Sequence, residues 1–259
     1  MNFLGQPHII KQLQFLLPEV YAGASANFLL RGPSGYGKTT LALSMCSYLT
    51  GGDFNMGLGN SYVFRPEKRV QFVDEVHLLP TPETLYPIMD AGTYVFILAT
   101  NDAAILPEAL VNRCFGLTFT EYSRDELKEM IRSFAKFAMS AESMDYIIRS
   151  SGGNPRILIS LLKRLNILAK QSNLSGMRFV EFQNLVQEVF GIVDGLDVAC
   201  RRYVEVLSSL GGRGSLDTLS GLLHIDKETI RYQIEPILLY NDRINITSRG
   251  RILKGAANV

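Results

Sequence analysis

The sequence predicts an α/β fold with a doubly wound parallel sheet, followed by a helical lid domain and then a winged helix. Three observations support this prediction. Over the first 100 residues, short apolar segments that end in polar residues alternate with helical patterns, as expected of βαβ units. From residue 122 to about residue 190 the pattern is helical throughout, and three short helical patterns and a hairpin pattern follow. We therefore expect domains at residues 1–121, 122–190 and 191–259.

Composition and charge indicate an ordinary globular protein of one or two compact domains. The 259 residues are 47% hydrophobic and 20% charged, with a formal net charge of +1, so any basic surface for nucleic acid has to be local. The three cysteines, Cys46, Cys114 and Cys200, fit neither a disulfide framework nor zinc spacing. Because there is also no run of about 18 apolar residues, we expect a cytoplasmic protein that spans no membrane.

The segments around the first strands are predicted as follows. Residues 7–17 form an amphipathic helix that ends at Pro18, and residues 28–30 form a strand. Residues 51–60, rich in Gly and Asn, form a loop, and residues 61–64 form a short strand.

A glycine-rich loop that opens a helix follows the strand at residues 28–30. It fits the pattern G-x-x-x-x-G-K-[ST] with Gly32, Pro33, Ser34, Gly35, Tyr36, Gly37, Lys38, Thr39 and Thr40. In such a P-loop, backbone amides converge on phosphate oxygens and the helix dipole favours the same anion. Lys38 would add a positive charge and Thr39 a magnesium ligand. The alternative is a glycine-rich strand-to-helix turn that binds nothing.

Two adjacent acids end the apolar segment 70–75. The carboxyl ends of parallel strands surround the ligand crevice, so these acids can lie beside the P-loop, as in a Walker B element. Asp74 is suited to hold magnesium and Glu75 to polarise an attacking water. The alternative is an ordinary turn at the end of a strand.

A third strand is predicted at residues 94–99, after a helix that begins near residues 80–83 and has Leu85, Ile88 and Met89 on one face. Asn101 follows this strand. It could orient the water at the terminal phosphate, cap the next turn, or do both.

The second half of the chain carries helix signals and a basic end. Ser123 and Glu126 have the spacing of a capping box, and a break at residues 151–155 precedes a further helix. Asp242 is the last acid, and the basic residues near it or beyond it are Arg243, Arg249, Arg251 and Lys254. They form either a phosphate-binding wing or a solvated tail.

Short segments spread over nearly the whole sequence carry a family resemblance: Phe3-Leu4-Gly5-Gln6, the P-loop, Asp74-Glu75-Val76-His77, Leu85-Tyr86-Pro87, Ala99-Thr100-Asn101, Leu106-Pro107-Glu108-Ala109-Leu110, Asn112-Arg113, Gly153-Asn154-Pro155-Arg156, Leu216-Asp217-Thr218-Leu219, Glu228-Thr229-Ile230, Glu235-Pro236 and Ser248-Arg249-Gly250-Arg251. Through these segments the sequence resembles the AAA+ branch-migration ATPases of the RuvB family.

The resemblance implies roles for individual residues. Asn101 matches sensor 1 and Arg156, after Pro155, matches sensor 2. Arg113 matches the arginine finger that a subunit offers to its neighbour's nucleotide. Leu4, Ile9 and Tyr122 match positions near the adenine and the hinge. The alternatives are an exposed salt bridge for Arg113 and a helix-start surface residue for Arg156.

The sequence also departs from the family. The β-hairpin that docks on RuvA is missing, because residues 89–93 lead directly into the third strand. This argues against a partnership with RuvA. Val111 and Ile246 replace basic residues of the family pattern, so DNA contact is expected from Arg249 and Arg251.

We therefore expect an oligomeric ATPase, with ATP and Mg²⁺, that moves or remodels double-stranded or branched DNA as a hexameric ring in recombination and repair. Two alternatives stay open. The chain could be a loader or nucleotide-dependent switch that recruits a partner protein without moving DNA, or its winged helix could be a protein-docking module.

Overall fold

The structure, a computed structural model, describes residues 3–254. The chain divides into two compact units, residues 1–121 and 122–259. Among the described residues no helix is both long and apolar enough to cross a bilayer.

The first unit is built on a five-stranded parallel sheet. Its helices are α1 (Pro7–Tyr21), α2 (Lys38–Thr50), α3 (Tyr86–Asp90) and α4 (Glu108–Val111), and its strands are β1 (Phe28–Arg31), β2 (Asn55–Leu58), β3 (Val70–Asp74), β4 (Val95–Thr100) and β5 (Phe115–Thr118). The strand order is β2-β3-β4-β1-β5, and every pairing is parallel. The carboxyl ends of the strands therefore meet at one edge of the sheet, the carboxyl edge, and their amino ends meet at the opposite amino edge.

Both faces of this sheet are covered, which confirms the doubly wound fold. Side chains alternate along β1, so that Phe28 and Leu30 enter the core with α1 and α2, whereas Leu29 enters the core with Leu85 and Met89 of the α3 region. This alternation, with apolar residues on both faces, is what a buried parallel strand requires.

Three boundary predictions are wrong. Helix α1 continues through Pro18 to Tyr21. The polar segment 51–60 contains strand β2, and residues 61–64 are not a strand. Local sequence does not reveal strand β2, whose buried Asn55 is the register partner of Gln71 in β3 and donates to its Oε1 at 2.8 Å.

The second unit is helical and ends in a small antiparallel sheet. Its helices are α5 (Arg124–Phe134), α6 (Ala141–Ser150), α7 (Pro155–Leu168), α8 (Phe179–Phe190), α9 (Val198–Ser209), α10 (Leu216–Leu223), α11 (Lys227–Thr229) and α12 (Glu235–Tyr240). Strands β6 (Arg213–Gly214), β7 (Ile244–Thr247) and β8 (Gly250–Leu253) pair in the order β6-β8-β7. Helices α9 to α12 with this sheet form the expected winged helix, around one core that includes Tyr203, Leu219 and Leu238.

A π-helical turn, Ile230–Ile234, joins α11 to α12. Pro236 follows it and has no N–H to donate. A proline ring also crowds the carbonyl four residues earlier, and one wider turn relieves this clash. The helix therefore continues past the proline, and α12 remains packed in the core of the winged helix.

Candidate functional site

The P-loop joins the carboxyl end of β1 to the first turn of α2. Gly32, Gly35 and Gly37 have positive φ angles of 147°, 84° and 95°. At Gly32 a side chain also lacks space, because an added Cβ would lie 2.8 Å from the backbone oxygen of Phe119. The loop therefore has a conformation that glycine adopts most readily, and it delivers its amides to the N-terminus of a helix, where anions bind.

Lys38 is the first residue of α2 and lies against the loop. Its Nζ donates to the carbonyl oxygens of Gly32 at 2.7 Å and Pro33 at 2.8 Å. The residue is buried, so its charge is held beside the amides of the loop and can act on a phosphate. Around it, Ser34 and Tyr36 are half-buried and Thr40 is exposed. Burial, and secondarily Glu121, raises the pKa of Tyr36.

Walker A and Walker B meet at the carboxyl edge. The Thr39 hydroxyl donates to Asp74 Oδ2 at 2.9 Å, although the two residues are 35 positions apart. Asp74 ends β3, whose neighbour β4 separates it from β1. A hydroxyl and a carboxylate at this distance are the oxygen ligands that Mg²⁺ prefers, so these two residues fit a magnesium site.

Glu75 has an unusual backbone conformation and an available carboxylate. Its φ is +47°, which is uncommon for a residue other than glycine. Its Oε2 is buried and forms no hydrogen bond within residues 3–254, and it lies 3.4 Å from His77 Nδ1. A buried carboxylate oxygen that accepts no hydrogen bond from the described residues, at the end of a Walker B strand, is suited to receive one from water.

Gly59 and His77 both lie close to Glu75, and the sequence alone does not predict either contact. Gly59 packs so closely that an added Cβ would lie 2.4 Å from the Glu75 carbonyl oxygen. His77 Nδ1 lies 3.0 Å from the hydroxyl of Thr100, the last residue of β4. Gly59 occurs in a segment expected to be a loop, so only the packing gives it a role.

Asn101 directly follows β4, which lies between the P-loop strand and the Walker B strand. The residue is half-buried. It therefore occupies the carboxyl edge next to both motifs, where a sensor 1 residue would be needed.

Arg113 lies at the amino edge of the same sheet. It precedes β5, and its carbonyl oxygen accepts a hydrogen bond at 3.3 Å from the side chain of Asn27, which precedes β1. Its guanidinium group makes a two-pronged ion pair with Asp90, with both N–O distances at 2.9 Å. The salt bridge considered as an alternative is thus present within the subunit, and the motif residues of the P-loop lie at the other edge.

The residues matched to adenine and hinge positions differ in their surroundings. Ile9, which the resemblance matches to a position near the adenine and the hinge, is fully buried among core residues of the first unit. Leu4 is half-buried, and Tyr122 is buried at the start of the second unit. Pro155 is the buried first residue of α7, and Arg156 is exposed there after the capping residue Asn154.

The predicted DNA contacts also differ from each other. Arg249 is exposed in the turn between β7 and β8. Arg251 instead pairs with Glu235 through Nε–Oε1 at 2.7 Å and Nη2–Oε2 at 3.2 Å, and the two side chains are 13% and 2% exposed. The expectation that Arg251 contacts DNA does not fit this internal ion pair. Lys254 is also paired, with Asp242.

The sheet order, the P-loop and the adjacent Walker B acids define the chain as an AAA+ ATPase. Residues 193–257 match the family model described as the RuvB C-terminal winged helix domain. The chain is a RuvB-like AAA+ protein that binds nucleotide.

Relatives support this over almost the whole chain. Across 97% of its length it is 28% identical to the Holliday junction branch migration complex subunit RuvB of Mycoplasma genitalium, covering 92% of that protein. It is 29% identical to the protein of the same name from Helicobacter pylori, covering 86% of it. A solved structure of the RuvB Holliday junction branch migration motor of Thermotoga maritima matches 98% of the chain and 94% of its own length, with a TM-score of 0.81 and 27% identity.

Proposed function

We propose that the chain is an oligomeric, Mg²⁺-dependent ATPase that uses ATP hydrolysis to move or remodel double-stranded or branched DNA, as a hexameric ring. The relatives named above are branch migration subunits for Holliday junctions, and a four-way junction is therefore the first DNA substrate to test.

One observation carries the proposal: the hydrolytic residues and Arg113 occupy opposite edges of one sheet. Strand β1 has four residues, which correspond to about 13 Å at the usual rise of a strand. In addition, Asp90 holds the guanidinium at the amino edge. Arg113 is thus unsuited to the nucleotide of its own subunit, whereas a neighbour packed against the amino edge would receive it. Hydrolysis then requires assembly.

Each residue at the carboxyl edge has a role in this proposal. Thr39 and Asp74 would hold Mg²⁺, which neutralises charge on the outer phosphates. Lys38 and the P-loop amides bind the phosphates, Glu75 orients and polarises the attacking water, and Asn101 positions that water. From the next subunit, Arg113 stabilises the charge that develops on the transferred phosphoryl group. Leu4 and Tyr122 would contact the adenosine, and Pro155 and Arg156 would form sensor 2.

Hydrolysis by single variants tests the chemistry. We expect Lys38→Ala and Glu75→Gln to lower kcat about a hundredfold or more, and Arg113→Ala about a thousandfold, with and without a four-way junction. Wild-type rates in all three variants would refute the proposal.

Mixed oligomers test the trans role. A Glu75→Gln subunit still offers Arg113, and an Arg113→Ala subunit still has an intact pocket. Mixing the two should therefore restore some hydrolysis, because some pockets receive both functional groups. A mixture no more active than its separate components would indicate that Arg113 acts within its own subunit.

DNA contact is proposed for the wing, through Arg249. Arg243 is a second exposed arginine, and neither side chain forms an ion pair within residues 3–254. The binding constant for DNA falls as the salt concentration rises. In a plot of its logarithm against the logarithm of the salt concentration, each phosphate contact steepens the slope by about 0.9. Arg249→Ala should make this slope shallower by about that amount, measured by fluorescence anisotropy. An unchanged slope would exclude Arg249 from the interface.

The short connection between α3 and β4 supports the prediction about the partner. Only residues 91–94 join these two elements, so a docking hairpin for RuvA has no counterpart at this point of the chain. We expect ATP-dependent branch migration without RuvA, measured on a labelled four-way junction.

A further inference from the structure

Arg113 is held on several sides by its own subunit. Asp90 accepts hydrogen bonds from Nε and Nη2, both at 2.9 Å, and the Ala109 carbonyl oxygen accepts one from Nη1 at 2.8 Å. The guanidinium carbon also lies 4.6 Å from the centre of the Tyr86 ring. These hydrogen bonds and the ring fix both the plane and the rotation of the guanidinium group.

We propose that Asp90 and Tyr86 are positioning residues for Arg113, which they hold in the orientation required by the nucleotide of the neighbouring subunit. This inference rests on the proposed role of Arg113 in trans. It adds two residues of α3, the helix that precedes the amino end of β4.

Helix α3 has the right pattern for such a platform. Leu85, which directly precedes the helix, and Met89 within it are buried in the core. Tyr86 and Asp90 each come one position later, also four residues apart, and therefore share a neighbouring face of the helix. The buried pair anchors the segment, and the other pair contacts Arg113.

The contacts leave part of the guanidinium group available. Arginine has five N–H donors, of which Asp90 and Ala109 engage three. One N–H on each terminal nitrogen remains, and these two can donate to phosphoryl oxygens. Since arginine is long and flexible, holding it before the neighbour arrives lowers the entropic cost of the productive contact.

A contribution to folding stability does not explain why Asp90 and Arg113 form an ion pair. Its side chains are 55% and 30% exposed, and exposed ion pairs contribute little to folding. The hydrogen bond from Arg113 lowers the pKa of Asp90, so the carboxylate stays ionised under assay conditions. Substitutions in this pair should therefore change the free energy of unfolding only slightly.

The first test is steady-state hydrolysis by full-length variants. We expect Asp90→Asn to lower kcat roughly tenfold or more, with the KM for ATP unchanged because the P-loop lies at the other edge. Asp90→Glu should recover part of the rate, and Tyr86→Phe should retain more activity than Tyr86→Leu. Glu108→Gln removes an exposed carboxylate from the neighbouring helix α4 and serves as the matched control. Wild-type or higher kcat in Asp90→Asn would overturn the proposal.

Mixed oligomers of Asp90→Asn and Glu75→Gln subunits show which subunit's pocket is impaired. They thereby distinguish a positioning role of Asp90 from a structural one. Asp90→Asn subunits have intact pockets, so Glu75→Gln neighbours with correctly held Arg113 should reactivate them. Lack of reactivation, when Arg113→Ala is reactivated in the same assay, would assign the Asp90 defect to its own pocket and overturn the inference. If Arg113→Ala itself hydrolyses ATP normally, it is the proposed trans role that fails.

Discussion

At the scale of single residues, catalytic geometry in this protein depends on backbone positions as much as on functional groups. Glu75 has a left-handed backbone conformation, and its carbonyl oxygen accepts a hydrogen bond at 2.9 Å from Leu78 N. Gly59 packs against that same carbonyl oxygen. The backbone position of Glu75 is therefore constrained in part by a glycine 16 positions earlier in the chain.

Replacing Gly59 tests this dependence. In Gly59→Ala, the new methyl group would lie 2.4 Å from the Glu75 carbonyl oxygen, so the Walker B turn has to move. A displacement of about 1 Å can cost a hundredfold in rate, and we expect kcat to fall by about that factor while ATP analogue binding persists.

The control for Gly59→Ala is Gly116→Ala in β5, where an added Cβ meets nothing closer than Arg31 at 3.7 Å. It should retain wild-type hydrolysis. Equal activity of the two variants would contradict a role for Gly59 packing.

At the scale of elements, local signals and long-range contacts stabilise different parts of the second unit. Helix α5 begins with the capping box predicted from sequence: Ser123 Oγ accepts from Glu126 N at 3.3 Å, and Glu126 Oε2 accepts from Ser123 N at 2.7 Å. The winged helix instead has a buried contact between residues 203, 235 and 251, in which Tyr203 O–H and Arg251 both donate to Glu235.

Removing the cap should weaken α5 modestly. Ser123→Ala deletes one acceptor for the free N–H groups of the first turn, and we expect a loss of about 1 kcal/mol in unfolding free energy. Chemical denaturation followed by circular dichroism measures it. Ser133→Ala, on the exposed face of the same helix, should lose nothing, since alanine favours helices. Similar losses of unfolding free energy in Ser123→Ala and Ser133→Ala would mean that the capping box does not stabilise α5.

Breaking the buried pair should have a larger effect. Arg251→Ala leaves the Glu235 carboxylate buried without its cation, for which we expect a loss of about 3–5 kcal/mol. Arg249→Ala, two residues earlier in the same hairpin, should keep wild-type stability but lose DNA affinity. If Arg251→Ala instead kept wild-type stability and lost DNA affinity, in thermal unfolding and DNA-binding assays, Arg251 would belong to the DNA interface.

At the scale of the whole molecule, the two units can be monitored separately through their cysteines. Cys46 in α2 and Cys200 in α9 are both fully buried. Burial raises the pKa of Cys46 to about 12 and also raises that of Cys200. Both thiols are therefore neutral and unreactive in the folded protein, whereas an unfolded thiol has a pKa of about 8.5.

This difference predicts labelling and pH effects. At pH 8, iodoacetamide should modify both cysteines slowly in the native protein and quickly after unfolding, as read by peptide mass spectrometry. Arg251→Ala should accelerate labelling of Cys200 more than that of Cys46. Fast native labelling of Cys46 at pH 8 would contradict its burial.

The same pKa shift makes the free energy of unfolding depend on pH. The pKa of Cys46 is higher in the folded than in the unfolded protein, so its neutral thiol favours folding below about pH 8.5. This contribution to the free energy of unfolding declines as the pH rises towards about 12.

Local sequence is sufficient to predict the features that depend on a few neighbouring residues. The P-loop, the strand that ends at Asp74, the Ser123 cap and the helix beginning at Pro155 all follow from local backbone requirements and apolar spacing. These signals are readable because glycine, proline and capping residues act within one turn of themselves.

Contacts between distant segments become apparent only in the folded structure. It brought Thr39 to Asp74, made a strand of the polar segment around Asn55, assigned Arg251 to Glu235, and located Arg113 at the edge opposite the P-loop. The physical reason is that these outcomes depend on strand order and on burial shared between residues far apart in the chain, and such pairings leave no periodic trace in either segment alone.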